Sequence, residues 1–279
     1  LCILIVFGGK SLYLDKLKEL YRFRRLLGAM VRKDLALKYK GSALGYLWSL
    51  LLPLALTGVY TLIFGYVLGS RGKNFSIDHY PIFLMSGIFP WTFFSVSLMA
   101  TSQSLVMYGG MLQKVYFPRS IIVISIVLAQ MVHFMLALVP LFIFMVVFGM
   151  SFTPLVLLLP VAMILQAVFV IGLCLLVASA YVFFRDIPLI LEVGMTAWFF
   201  LTPVIYPIQW IRQGRPEIYN YLRFNPMNGF IELYHQWLFR PQWFESFQIV
   251  LGPFLIALGA FLLGWFVFHR LEPHFMKRL

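Results

Sequence analysis

The chain is poor in charge, poorer still in acid, and almost without cysteine. Asp and Glu number 10 against 22 Lys and Arg in 279 residues, and charged residues of both signs make up only 11%. Beside 62% apolar residues, so low a charged fraction excludes an ordinary soluble domain. Cys2 and Cys174 are the only cysteines, so no structural disulfide is implied. Short segments alternating polar and apolar residues, the mark of a membrane β-barrel, are missing. A phosphate-binding loop is missing too. Gly9-Lys10-Ser11 matches its end, but Leu4 stands where the first glycine belongs, which excludes ATP binding by that route. The five histidines, His79, His133, His235, His269 and His274, form no paired zinc pattern with a Glu. His133 falls mid-span and reads as a packing residue. Glu192 is the one credible acid inside a span, too little for a proton pathway but within reach of Arg185. No Asp, Glu or His cluster of the kind a membrane-embedded transferase needs is found. Catalytic and metal-ligating residues are therefore not expected.

What the chain does have is long apolar runs. Six windows, 44–68, 82–107, 120–148, 155–184, 187–206 and 247–268, are long and apolar enough to cross a bilayer. Backbone amides in lipid need internal partners, so the windows are helices and the fold class is all-α. The basic residues cluster beside these windows, which is an orientation signal and not a nucleic-acid footprint. Lys10, Lys16, Lys18, Arg22, Arg24, Arg25, Arg32, Lys33, Lys38 and Lys40 precede the first. Lys114 and Arg119 lie between the second and third, Arg185 between the fourth and fifth, and Arg270, Lys277 and Arg278 at the end. The opposite connections are a nearly uncharged turn at 149–153 and a short loop with Arg71, Lys73 and Asp78. Both termini are thus expected on the cytoplasmic side. Residues 207–246 carry Arg212, Arg215, Arg223 and Arg240 against Glu217, Glu232 and Glu245, yet an even span count puts them outside. The opening 1–7 is too short to span and lacks a charged leader and cleavage site, so it is not read as a signal peptide.

Residues 11–40 read as an amphipathic helix, with Leu17, Leu20, Tyr21, Leu27, Val31 and Leu35 on one side and Lys18, Arg22, Arg25, Arg32, Lys33 and Lys40 on the other. Such a helix lies on an anionic leaflet, docks a cytoplasmic partner, or does both. Pro53, Thr57 and Gly58 bend the first span. In 108–119, Gly109 and Gly110 end one helix and Pro118 begins the next, with about two turns of exposed amphipathic helix expected between. Residues 207–246 hold Trp210, Tyr219, Tyr221, Phe224, Phe230, Tyr234, Trp237, Phe239, Trp243 and Phe244. That density exceeds an interfacial belt and favours a re-entrant element, with a short helix over 230–238.

These residues resemble the membrane subunit of type-2 ABC exporters of lipid-linked cell-surface polysaccharide. The likeness runs through 38–53 (K-Y-K-G-S-A-L-G-Y-L-W-S-L-L-L-P), which places Tyr39 before Ser42, then Leu44, Gly45, Trp48 and Pro53. It continues through Phe89-Pro90-Trp91, the loop Lys114-Val115-Tyr116-Phe117-Pro118-Arg119, Phe184-Arg185-Asp186, Pro203 with Tyr206, and Asn225-Pro226. The resemblance implies an interface helix over 11–43 and a six-helix transmembrane domain over 44–279. Within it lie a coupling helix at 108–119 and an extracellular re-entrant segment at 207–246. It implies a bacterial inner membrane, two copies of this chain, two of a cytoplasmic ATPase subunit that binds the ATP and Mg, and a lipid-linked glycan cargo. This chain then holds no cofactor and has no nucleic-acid partner.

Contact with the ATPase is expected from Lys114, Tyr116, Phe117, Pro118 and Arg119, with Asp34, Lys38, Arg185 and Asp186 beside them. A translocation path is expected along Phe89, Trp91, Phe93, Phe94, Trp198, Phe199, Phe200 and Tyr206, because an aromatic face slides along the C–H face of a sugar without fixed register. Arg212, Arg215 and Arg223 form an outer contact for a polyanion. Since arginine suits phosphate, wall teichoic acid is the favoured cargo, ahead of O-antigen or capsule and, further back, a drug or lipid. Two rival classes are a membrane transferase, which turnover of an activated donor by the purified chain would reveal, and an ion-coupled carrier, which Glu192→Gln would stop.

Overall fold

The structure, a computed structural model, describes residues 16, 18–38, 45–68, 79–112, 114, 116–150, 152, 154–222, 224–239 and 248–275. Among them every regular element is helical. In chain order these are α1 (Arg24–Lys38), α2 (Trp48–Tyr60), α3 (Tyr80–Ser102), α4 (Ser104–Met107), α5 (Gly109–Leu112), α6 (Ser120–Val147), α7 (Leu159–Phe183), α8 (Ile187–Phe200), α9 (Ile208–Gly214), α10 (Pro216–Leu222), α11 (Pro226–Tyr234) and α12 (Gln248–Phe275). A helical turn before Phe23 leads into α1, a wider helical coil over Thr61–Leu68 extends α2, and another over His235–Phe239 extends α11.

Among the described residues, four helices are long and apolar enough to span a membrane: Tyr80–Ser102, Ser120–Val147, Pro154–Phe183 and Val250–Phe275. Leu51–Phe64 and Ile187–Phe200 are apolar but shorter. The chain is therefore an all-α, multi-pass membrane protein. The window at 187–206 stops early because the chain turns at Leu201 to Tyr206, around Pro203, where proline can neither donate nor fit a helix interior.

Helix α3 is the centre. It is apolar all round, as a buried helix should be, and α2, α6, α7, α8 and α11 all pack on it. Its N-terminus starts abruptly after His79, whose φ of 54° is left-handed, with Pro81 in the first turn. Gln166 of α7 is fully buried; its Nε2 donates to the Pro90 carbonyl of α3 at 2.8 Å, and its Oε1 accepts from the Tyr234 hydroxyl of α11 at 2.9 Å. This chain of bonds joins three helices inside the core. Tyr234→Phe strands the amide oxygen and is expected to cost about 1–3 kcal/mol. An unchanged unfolding midpoint in detergent would count against it.

The most extensive helix pair is α7 with α12. Gly172 meets Ala260, Phe261 and Gly264 there, close enough that a Cβ on Gly172 would sit 2.6 Å from the Phe261 nitrogen. Ala260 and Gly264 form the small-x-x-x-small face that lets membrane helices approach closely. The pair needs shape here, since lipid offers apolar surface little reason to leave it.

The two ends of the bundle differ. One gathers α1, the 103–119 connection, the start of α6, the turn before α8 and the end of α12. Arg119 donates to the Glu272 carbonyl at 2.6 Å, and the rings of Phe183 and Phe275 are 6.3 Å apart. The other end gathers His79, its ring tilted against that of Phe148 at 5.4 Å, and Tyr80, whose hydroxyl donates to the Ile205 carbonyl at 2.8 Å.

Candidate functional site

The basic end carries the polar side chains. The apolar face of α1 packs on the protein. Leu20, Phe23, Leu26 and Leu27 pack on the core, and Met30 is buried, with α6 as the main neighbour. The expected apolar side is thus partly corrected. Tyr21 is 69% exposed, its ring under the Arg24 guanidinium at 4.6 Å. Arg22, Arg24, Arg25, Arg32 and Lys33 are exposed.

Asp34 points the other way. Its Oδ1 accepts from the Tyr108 hydroxyl at 3.0 Å and its Oδ2 lies 3.4 Å from the Ser125 hydroxyl. Burial holds its carboxyl above the usual carboxylate range, against the opposing pull of the Tyr108 bond, the Lys33 charge and the Ser125 bond. The Tyr108 phenol is pushed up to about 12 by burial and by the charge and bond of Asp34. Lys33 Nζ lies over the Tyr108 ring, 4.7 Å from its centre.

Beyond Tyr108 the expected two turns of helix are one. Gly109 and Gly110 open α5 instead of closing the helix before it, and α5 ends at Leu112. The Lys114 N–H bonds the Met111 carbonyl in a turn, and residues 116–118 are not helical. Pro118 is the reason, since the residue before a proline avoids the α conformation. Lys114 is exposed and Tyr116 is 78% exposed, its hydroxyl 3.3 Å from Glu19 Oε1. Phe117 is only 4% exposed and Pro118 is buried. Lys114 and Tyr116 therefore face out, while Phe117 and Pro118 anchor. Arg119 reaches Glu272 at 3.9 Å, and Lys16 bridges Glu19 at 3.4 Å and Glu272 at 3.7 Å. Arg185 and Asp186 are exposed, with Arg185 over the Tyr181 ring at 5.1 Å; Glu192 is exposed on α8.

The aromatics of the expected path fall into two groups around α3. Trp91 and Phe94 are buried and meet α8. Trp91 lies 6.5 Å from Trp198 and 5.6 Å from Phe199, and Phe94 lies 5.1 Å from Trp198. Phe199 also touches Phe200 and stacks on Tyr60 of α2. Phe200 is 55% exposed, and the Tyr206 hydroxyl donates to its carbonyl at 3.0 Å. Phe89 and Phe93 turn away from α8. With Trp48, Leu52, Gln130, His133 and Phe134 they line a cavity of about 210 Å³ between α2, α3 and α6. So Phe89, Trp91, Phe93 and Phe94 are core residues of the single chain, and the four from Trp198 onward stand at its margin.

Asn225 holds that margin in place. Its Oδ1 accepts from Trp198 Nε1 at 2.7 Å and from the Met227 N–H at 3.0 Å, capping α11. Its Nδ2 donates to the Leu201 carbonyl at 3.1 Å and to Thr202 Oγ1 at 2.9 Å. At the same end Arg212 and Arg215 are exposed, Arg212 lying 5.8 Å from the Tyr219 ring, while Glu232 accepts from Gln209 and Gln236. Helix α11 dips back into the bundle, with Met227, Phe230, Ile231, Leu233 and Tyr234 fully buried.

Arg223, the Lys38 side chain and Lys10, Tyr39, Lys40, Ser42 and Leu44 lie outside the described residues, as do Cys2, Arg71, Lys73, Asp78, Arg240, Trp243, Phe244, Glu245, Lys277 and Arg278. Among the described residues no group of three or more His, Cys, Asp or Glu is placed to hold a metal. Glu19, Tyr108, Ser125, Gln166 and Glu272 were missed as site residues by sequence reasoning. One signal was available: Asp15, Glu19 and Asp34 are the only acids in the basic leading segment, where a stray carboxylate asks for a partner.

A family model described as ABC-2 type transporter matches residues 25–239. The O-antigen export system permease protein RfbA of Myxococcus xanthus is 35% identical over 221 residues, 78% of this chain and 81% of that protein. A protein of the same description from Klebsiella pneumoniae is 32% identical over 210 residues, 74% of this chain and 77% of its own length.

Proposed function

This chain belongs to the ABC-2 type transporter family, and from that premise we infer that it is the membrane permease subunit of an ABC exporter for a bacterial surface polysaccharide. The observation that carries this reading is identity of about a third, over three quarters of the chain, to proteins described as O-antigen export permeases. On that similarity O-antigen becomes the favoured cargo, in front of the teichoic acid that the outer arginines had favoured. The outer arginines carry less weight, since Arg212 lies over the Tyr219 ring.

The spanning scheme keeps six crossings. The four long helices are joined by α2, which with Thr61–Leu68 is long enough to cross, and by α8 with the turn that follows it. Six crossings and the basic residues at one end put that end, and both termini, in the cytoplasm. Lys114 and Tyr116 are the outward surface offered to the ATPase, flanked by Arg185 and Asp186, while Phe117 and Pro118 seat the loop. ATP and Mg belong to that partner, present in two copies beside two copies of this chain. The partner's change of shape on binding ATP biases an open–closed balance of the membrane helices. Cargo contact falls to Trp198, Phe199, Phe200 and Tyr206, where a second copy completes the wall.

The test is co-purification of the chain with the ATPase encoded beside it, followed by mass spectrometry of retained lipid-linked glycan. ATP turnover only with the partner, and a neutral O-antigen repeat, are expected. A phosphodiester polymer would restore teichoic acid, and ATP hydrolysis by the chain alone would end the permease reading.

A further inference from the structure

We propose that Asp34 is a positioning residue. It holds Tyr108 so that α1 and the 108–119 loop move as one body, and it is not a contact for the ATPase. The proposal rests on the reading of that loop as the coupling element. Four observations carry it. Both carboxylate oxygens of Asp34 are turned into the protein, one to Tyr108 and one to Ser125. The neighbouring Lys33 places its ammonium on the face of the same tyrosine ring, so Tyr108 is held at its hydroxyl and at its face by consecutive residues of one helix. The chemistry is repeated at the far end of the loop, where Tyr116 reaches Glu19. Last, the chain after Tyr108 opens on Gly109 and Gly110 and makes a single helical turn that ends at Leu112.

A loop tied at one point pivots, and a push on Lys114 would be lost as rotation at the glycines. Tied at two points, to Asp34 of α1 and to Glu19 in the helical turn that leads into it, the same push moves α1, which packs on α6. The Ser125 hydroxyl, one and a half turns into α6, donates to the Ile122 carbonyl at 2.9 Å and lies 3.4 Å from the other oxygen of Asp34, so the same carboxylate also sits against the first span after the loop. A half-buried carboxylate costs free energy to desolvate, and helix formation in α1 does not require one.

The experiment uses the full chain assembled with its ATPase in membranes. It measures complex recovered, ATP hydrolysed and polymer exported. Asp34→Ala is expected to assemble within about two-fold of the parent and to keep hydrolysing ATP, while polymer exported per ATP falls roughly ten-fold, the shift one charged hydrogen bond makes in a two-state balance. Tyr108→Phe should reproduce that loss, the double variant should be no worse than either single one, and Asp34→Asn, which keeps an acceptor for the phenol, should recover most of it. Export and recovered complex falling in step would overturn the proposal, as would losses that multiply in the double variant. A photocrosslinker on Lys114→Cys separates the two readings. No crosslink to the ATPase removes the coupling loop and the proposal with it. A crosslink kept while Asp34→Ala exports normally removes the proposal alone.

Discussion

Gly264→Leu is expected to keep the chain from accumulating in folded form. A Cβ at Gly264 would lie 2.7 Å from the carbonyl carbon of Gly172 and 2.9 Å from its Cα, with the carbonyl oxygen nearer still. The obstacle is backbone, which cannot swing aside as a side chain can. Overpacking of a core ordinarily costs 1–3 kcal/mol, and more when nothing can yield. A leucine here forces α7 and α12 apart along the whole seam, so a loss above about 3 kcal/mol is expected, a large share of the stability of a typical domain. Gly172→Leu should behave alike, because its Cβ meets the Ala260 carbonyl and the Phe261 nitrogen. Gly259→Leu is the control: it lies on the same helix, is exposed, and its Cβ meets nothing within 4 Å. Size-exclusion profiles and unfolding midpoints in detergent separate the cases. Equal behaviour of the Gly264 and Gly259 variants would refute the seam.

Asn225→Ala should destabilise the margin of the proposed path by about 1–3 kcal/mol, from a lost helix cap and a part-buried Trp198 indole left unpaired. The side chain uses all its capacity, with two acceptances from Trp198 and Met227 and two donations to Leu201 and Thr202. Its loss frees the Trp198 indole, loosens the turn after α8, and uncaps α11. Tryptophan emission should move to the red, and export should fall further than assembled complex. Asn225→Asp keeps both acceptances but cannot donate to the Leu201 carbonyl, so an intermediate loss is expected. Emission and export equal to the parent's in Asn225→Ala would show that the bonds hold nothing that matters.

Much of the fold was legible in the windows. Residues 120–148 and 155–184 match α6 and α7 with the lead-in Pro154–Leu158 to within a residue or two, because hydropathy is summed over a segment and needs no neighbour. The window 82–107 is cut at Gln103, and 187–206 ends with α8 at Phe200. In both the apolar run continues past the helix, so composition alone could not stop it. The candidate site was legible by position and much less by role. Tyr116 and Phe117 are equally aromatic neighbours, yet one faces out and the other is buried. That difference comes from Pro118 straightening the chain, which alternates side chains where a helix would have grouped them. Asp34 was named, but its direction was not, since the hydroxyl that donates to it belongs to a tyrosine far along the chain.

The residues in linear order determined that this is a helical membrane protein, where its crossings run, and which connections carry positive charge. Each of these depends only on how a segment transfers from water to lipid. The folded arrangement decided which helices touch, which aromatics are interior, and which carboxylates look inward. In a bilayer one apolar surface is much like another, so helix choice rests on glycine-sized gaps such as Gly172 against Gly264 and on polar groups such as Gln166 and Asn225 that must find partners.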